Sequence, residues 1–366
     1  MANLALYRKY RPQTFSEFVG QEHIVKTITN QIQRGMISHA YLFSGSRGTG
    51  KTTLARLFAK TINCQNRKGG FEPCNQCEAC REINGSRAVD IIEIDAASNR
   101  GIDEIRNLRE GIKFPPTFLK YKVLILDEAH QLTKEAANAI LKILEEPPVH
   151  AVFILATTEI HKMIPTIISR CQRFDFYKLT KDEITKKLEE ILKNEGIKIE
   201  KEALNQIAIS ANGSLRDAES ILDQAISFSK NKEITADDIR NLLGIVDLSL
   251  VIEFTKILSK KNVGEALNLL DKNLEKGLDV QEFAKVIIDY LRKILVIKIN
   301  PQLENDVLDE LSSEAKEITK KLGEKFTLEE LRKLLNLFLE AENKIRYSSL
   351  PQLPIELAII EYCGVV

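Results

Sequence analysis

Hydrophobic positions along the 366-residue chain change their pattern near Tyr177. Before it stand five short apolar runs: AYLFS (40–44), VDIIEI (89–94), KVLIL (122–126), AVFILAT (151–157) and RFDFY (173–177). They are rich in Val, Ile, Leu and Phe, and stretches of helical period separate them. Strands covered on both faces read as continuous apolar runs, so the pattern predicts a parallel α/β sheet of five strands. TKEAANAILKILEE (133–146) has apolar residues at helical spacing and stops at Pro147-Pro148, where a helix must end. After Tyr177 the strand pattern ceases. Thr180-Lys181-Asp182-Glu183 reads as a capping box that opens a helix to about Asn194. A second box is expected at Thr235-Ala236-Asp237-Asp238. Helical patterns continue at 280–299 and 328–345. The expected organisation is a nucleotide-type α/β domain over 1–178, a small helical domain over 179–243 and an all-α domain over 244–366.

Composition narrows the class. Hydrophobic residues make up 44% of the chain and charged residues 28%, the balance of a globular protein. No run of 18 apolar residues predicts a membrane span. Arg8, Lys9 and Arg11 interrupt the amino end where a secretory leader needs its apolar core, so a cytoplasmic protein without membrane partners is expected. Lys plus Arg equals Asp plus Glu at 52 each, which argues against coating nucleic acid by bulk attraction and leaves room for a local basic track.

Straight after the first strand comes GSRGTGKT, which fits G-x-x-x-x-G-K-[ST] at every fixed position. Gly45, Ser46, Arg47, Gly48, Thr49 and Gly50 are expected to turn backbone N–H groups toward phosphate oxygens. A helix starting near Lys51 adds its positive end, with Thr53 in its first turn. Lys51 would reach the β- and γ-phosphates of ATP, and the Thr52 hydroxyl would ligate Mg²⁺. The bland alternative is a glycine-rich turn. KVLILDEAH (122–130) counts against that alternative, because a buried strand ends there in two acids. Asp127 suits Mg²⁺ and Glu128 suits polarising the attacking water. At the end of the next strand, Thr157 or Thr158 can hold that water, or serve only as a strand residue.

These motifs, in this order, resemble those of AAA+ clamp loaders. GSRGTGKT, LDEAH, ATT (156–158), Ser169-Arg170-Cys171 and GSLRDA (213–218) carry the likeness. YRKYRPQTFSEFVGQE (7–22), HAYLFSG (39–45), EIDAASN (93–99) and LEEPP (144–148) are similar to the gamma/tau family of bacterial DNA polymerase III. The resemblance covers nearly the whole chain and implies several roles. Arg170 would be an arginine finger reaching ATP on a neighbouring subunit, Thr158 a first sensor and Arg216 a second sensor. Tyr7, Arg8, Arg11, Pro12 and Val19 would pack around adenine. The fold implied is an AAA+ P-loop domain with a zinc module, a helical lid and an all-α collar. The partners implied are delta and delta-prime subunits, further copies of the chain, the beta sliding clamp and primer–template DNA. Polymerase and helicase would join only through a longer tau form. The chain stops where the collar would end, as a short form, a naturally short protein or a truncated piece would. The activity implied is ATP hydrolysis that drives clamp loading within the polymerase holoenzyme, with no polymerase site in this chain. The alternatives are another DNA-acting AAA+ ATPase, such as a branch-migration motor, and a non-hydrolysing scaffold. Arg100 and Arg106, in SNRGIDEIRNLRE (98–110), are candidates for a DNA phosphate contact, against the alternative of a solvated helix face.

Four of the six cysteines crowd into CQNRKGGFEPCNQCEAC (64–80). Cys64, Cys74, Cys77 and Cys80 have the spacing of a tetrahedral Zn²⁺ site. A ferredoxin-type cluster would want a further cysteine at 84, where Asn84 stands. Disulfides suit a cytoplasmic chain poorly. Lys68, Gly69 and Gly70 are expected to form a flexible loop between the first ligand and the rest. The module is expected to be a closed structural clip outside the sheet, so that Cys77→Ser retains nucleotide binding. Cys171 and Cys363 read as small buried apolar residues.

Overall fold

The structure is a computed structural model that describes residues 4–98, 101–229, 233–244, 246–309 and 313–364. The chain forms two compact units, residues 1–236 and 237–366.

In the first unit the five apolar runs are β1 (Ala40–Gly45), β2 (Ile91–Asp95), β3 (Lys122–Asp127), β4 (Ala151–Thr157) and β5 (Gln172–Phe176). All pair in parallel, in the order β2-β3-β4-β1-β5. Neighbouring carboxyl ends therefore bring Asp127, Thr157 and Gly45 to one edge of the sheet, where α/β proteins bind ligands. The connections include α1 (Leu6–Lys9), α2 (Glu22–Arg34), α3 (Lys51–Asn63), α4 (Glu78–Asn84), α5 (Ile102–Lys113), α6 (Lys134–Glu145) and α7 (Pro165–Ile168). Alternate strand residues feed opposite cores, as the two-residue strand period requires. Tyr41, Phe43 and Ile125 pack with Ile28 of α2 and Phe58 of α3. Leu42, Leu126 and Phe153 pack with Ile112 of α5 and Ile140 of α6.

The unit continues with α8 (Lys181–Glu195), α9 (Lys201–Ser210) and α10 (Leu215–Phe228). The capping box forms as expected: Glu183 N–H donates to Thr180 Oγ1 at 3.3 Å, and Thr180 N–H to Glu183 Oε2 at 2.8 Å. Strands do not cease after Tyr177, however. β6 (Lys198–Ile199) and β7 (Glu233–Ile234) form a parallel pair. Two residues are too few for a strand period to register in a sequence. Arg100 lies outside the described residues, as does the side chain of Arg106.

The second unit begins within α11 (Ala236–Leu243). It continues with α12 (Leu248–Ser259), α13 (Val263–Leu274), α14 (Val280–Ile299), α15 (Glu304–Val307), α16 (Ser313–Lys325), α17 (Leu328–Ile345) and α18 (Leu353–Cys363). Among its described residues there is no strand. Phe254 meets Phe283 and Phe338 edge-on, with centroids 5.2 and 6.2 Å apart, at the centre of its core. Asp279 caps α14 and Thr327 caps α17 through the N–H groups of Glu282 and Glu330. No described helix is long and apolar enough to cross a membrane.

Candidate functional site

The loop between β1 and α3 requires glycine twice. Gly48 has φ 75°, and a Cβ there would lie 1.8 Å from Ser214 Oγ. Gly50 has φ 99°, and a Cβ there would lie 2.6 Å from Phe18 Cζ. The same closeness lets Gly48 O accept the N–H of Leu215, so the start of α10 seats on the loop. Lys51 is only 5% exposed. Its Nζ donates to the carbonyls of Gly45 and Ser46, both at 2.7 Å. Burial lowers its pKa, and the charges of Glu128 and Asp127 oppose that change.

Thr52 Oγ1 donates to Asp127 Oδ2 at 2.6 Å, which joins the loop helix to the end of β3. Glu128 follows in a left-handed turn, φ 48°. Its Oε2 accepts from Thr158 Oγ1 at 2.8 Å and from Thr158 N–H at 3.2 Å. The two threonines therefore part company: Thr158 orients Glu128, whereas Thr157 is fully buried with its hydroxyl 2.9 Å from His130 Nδ1. His130, the last residue of the LDEAH run, is also 3.4 Å from Glu128 Oε2, a contact that its place in the motif does not announce.

A cavity of about 330 Å³ opens over this loop. Tyr7, Arg8, Arg11, Pro12 and Val19 line one wall, and residues 47–53 form the floor. Asp127 and Glu128 stand at one end, and Arg216 of α10 closes over Tyr7 with its guanidinium 4.9 Å from the ring centre. Hydrogen bonding from Arg8, aided by Arg216, lowers the Tyr7 phenol pKa. Gly45 and Ser46 do not line the cavity but hold Lys51, and Thr158 touches it through Glu128. Arg170 stands apart: its Nη2 pairs with Glu145 Oε1 at 2.7 Å, and its Nη1 donates to Thr166 O at 2.9 Å.

The cavity also has wall residues to which no motif assigns a role. Phe18 covers Gly50, and Arg56 of α3 forks onto Glu93 of β2. Glu219 of α10 is only 6% exposed. Burial raises its carboxyl to about 7, against the opposing charge of Lys187. Position Glu219 is one helical turn from Arg216, and only that spacing could have pointed to it.

The four crowded cysteines converge at the far end of α3. Their Sγ atoms all lie within 4.8 Å of one another. Tetrahedral Zn–S bonds of about 2.3 Å place sulfurs roughly 3.8 Å apart, so the set fits that ion. None of the four forms a disulfide. Cys64 Sγ accepts the N–H of Cys74 at 3.3 Å, and Cys74 Sγ accepts those of Gln76 and Cys77 at 3.4 and 3.2 Å. Burial opposes ionisation of Cys74, yet these N–H groups and the neighbouring thiols bring it down to about 6. The expected loop at Lys68–Gly70 is closed by a backbone pair between Lys68 and Glu72.

Comparison with known proteins agrees with this arrangement. Residues 20–180 match the family described as DNA polymerase III, delta subunit. Residues 183–231 match the DNA polymerase III clamp loader subunit, ATPase lid domain, and residues 234–366 match DNA polymerase III subunits gamma and tau domain III. The chain is 43% identical over 363 residues to DNA polymerase III subunit tau of Bacillus subtilis, covering 99% of this chain and 64% of that one. It is 37% identical over 356 residues to DNA polymerase III subunit gamma of Buchnera aphidicola, covering 97% of each. Against DNA polymerase III subunit tau of Escherichia coli it is 39% identical and spans 48% of that protein. The chain thus spans about half to two thirds of the tau relatives it matches. The Thermotoga maritima RuvB Holliday junction branch migration motor shares the fold, with a TM-score of 0.50 at 20% identity over 68% of this chain and 79% of that one. With the phosphate loop, lid and helical third domain each matched in order, the chain belongs to the gamma/tau family of bacterial DNA polymerase III clamp loader subunits.

Proposed function

We propose that this chain binds and hydrolyses ATP as the motor subunit of a clamp loader, opening the sliding clamp and loading it onto primed DNA. The observation that carries the reading is the Thr52–Asp127 pair at 2.6 Å, set in the cavity beside the buried Lys51. The loop N–H groups and the start of α3 cradle the triphosphate. The Lys51 ammonium exchanges two loop carbonyls for phosphate oxygens. Thr52 and Asp127 hold Mg²⁺, which neutralises charge on the transferring phosphoryl group when bound. Glu128, oriented by Thr158, positions the attacking water and accepts its proton. As the water oxygen bonds to the γ-phosphorus, the bond to the β-phosphate oxygen breaks and ADP leaves. Arg216 meets the γ-phosphate from the lid.

Arg170 does not line the cavity of its own chain, which supports a role on the ATP of a neighbouring copy. Cys64, Cys74, Cys77 and Cys80 hold a structural Zn²⁺. In this reading residues 179–243 are the lid and 244–366 the collar that joins copies of the chain to delta and delta-prime. The fold likeness to RuvB leaves a branch-migration motor as the competing reading, but the match of residues 234–366 to a gamma and tau domain favours the clamp loader. The test is ATPase activity after mixing with delta and delta-prime subunits, with and without clamp and primed DNA. Clamp and DNA together are expected to stimulate hydrolysis. Arg170→Ala should cut the stimulated rate about a thousandfold while nucleotide binding persists. Hydrolysis indifferent to clamp and DNA would reduce the assignment to a generic AAA+ ATPase.

A further inference from the structure

The strap from Tyr7 to Val19 is anchored in two ways. Near its start, Lys9 Nζ and Tyr10 Oη both donate to Glu195 Oε1 of α8, each at 2.6 Å. Its middle sits on the cysteine module instead. Glu72 accepts the N–H groups of Phe15 and Ser16 at 2.8 Å, one on each carboxylate oxygen. Asn75 Nδ2 donates to Gln13 O at 3.2 Å. Lys60 of α3, only 3% exposed, gathers the side-chain oxygens of Gln13, Asn75 and Asn84 at 2.8, 2.7 and 3.0 Å. Strap, loop helix and module therefore meet at one buried ammonium.

The segment the module holds is bracketed by cavity-lining residues. Arg11 and Pro12 precede it, and Phe18 and Val19 follow it. The Phe18 ring lies directly on Gly50 of the phosphate loop. A shift of residues 13–16 would move both the cavity wall and the ring over the loop. The anchors lie beside the gathered sulfurs. Glu72 closes the short pair with Lys68, two residues before Cys74. Asn75 sits between Cys74 and Cys77 in the left-handed region, φ 58°, a conformation that the surrounding turn must hold.

We propose that Glu72, Asn75 and Lys60 are positioning residues for nucleotide binding, and that the cysteine module is the platform that fixes the strap over the nucleotide. This rests on the nucleotide-site reading above. It departs from the expectation of a clip whose loss leaves nucleotide binding intact: Cys77→Ser should weaken it.

The test measures affinity of the full chain for a fluorescent ATP analogue, bound zinc and amide exchange over residues 10–19. Glu72→Ala is expected to weaken nucleotide about tenfold and to speed exchange at Phe15 and Ser16, with one zinc per chain retained. Removing zinc with a chelator should weaken nucleotide at least as much. Should Glu72→Ala shed its metal or fail to fold, Gln13→Ala decides, because that change leaves every module residue in place. Wild-type affinity and exchange in both Glu72→Ala and Gln13→Ala would overturn the proposal. Lys51→Ala separates the two readings. A wild-type chain that binds no nucleotide overturns both. Binding lost in Lys51→Ala but unchanged in the Glu72 and Gln13 variants overturns the platform alone.

Discussion

Helix α3 carries a buried lysine toward each end, and the two are held in opposite ways. Lys51 opens the helix and donates to two carbonyls of its own loop, within six residues in the chain. Lys60 lies toward the cysteines and donates to amide oxygens 47, 15 and 24 residues away. Burial lowers the pKa of both. At Lys51 the opposing charges are Glu128 and Asp127, whereas at Lys60 they are led by Cys80 and Glu17. The Lys51 partners are local and neutral, so in the proposed function an arriving phosphate would outcompete them, because charge-assisted bonds are stronger. The Lys60 partners come from three separate segments with no charged ligand to replace them. One ammonium is placed to change partners, and the other to keep three pieces of chain together.

Replacing each lysine separates these roles, and the larger effect is expected at the ligand end. Lys51→Ala should cost about 4 kcal/mol of nucleotide binding, roughly a thousandfold, since it leaves phosphate charge without its closest cation. Thermal stability and zinc content should stay near wild type. Titration with a fluorescent ATP analogue checks this, and binding within tenfold of wild type would contradict the placement of the phosphates.

Lys60→Met keeps an unbranched apolar stem and removes the ammonium. It leaves the oxygens of Gln13, Asn75 and Asn84 without their shared donor, so a loss of roughly 3 kcal/mol of stability is expected. Urea unfolding followed in the first unit measures it. A variant as stable as wild type would mean that the three segments are held without the lysine, and the contrast between the helix ends would collapse.

The same contrast explains what was legible beforehand. Lys51 belongs to a motif whose residues are neighbours in sequence, so its spacing alone points to the role proposed for it. Lys60 lies in LARLFAKTIN (54–63), where it reads as an ordinary polar position on an amphipathic helix. Its burial arises only when distant segments converge. The central strands β1, β3 and β4 were readable because both faces are covered and their apolar runs are continuous, whereas the edge strands β2 and β5 are partly exposed and show only alternating apolar positions. The order of the five was not readable, because insertion of β1 between β4 and β5 is a long-range choice with no local mark. The end of β4 offered Thr157 and Thr158, and family resemblance picked Thr158 and supplied Arg216; geometry then set one on Glu128 and the other over Tyr7. Glu72, whose two bonds to the strap span 57 and 56 residues, had no signal at all.

Glu219 extends the comparison to a buried group of the opposite sign, with the smallest expected effect. Unlike either lysine, it is not gathered into a set of short hydrogen bonds from the loop or the module. Burial raises its carboxyl from 4.5 to about 7, with only the charge of Lys187 opposing. The unfolded chain releases this proton near pH 4.5, while the folded chain retains it until near pH 7. Between those values the folded state binds the extra proton, so stability falls as pH rises and levels off above the folded value. A tenfold change in proton affinity is worth about 1.36 kcal/mol, so the whole loss is at most about 3 kcal/mol. Glu219→Gln keeps the shape and cannot ionise. Its stability should equal that of wild type near pH 4, exceed it progressively from about pH 5 to 7 and hold a constant lead at pH 8. Chemical unfolding across that range reads the difference directly. Parallel curves for the two proteins would place the carboxylate in water, and the wall of the cavity below Arg216 would then be more open than the structure has it.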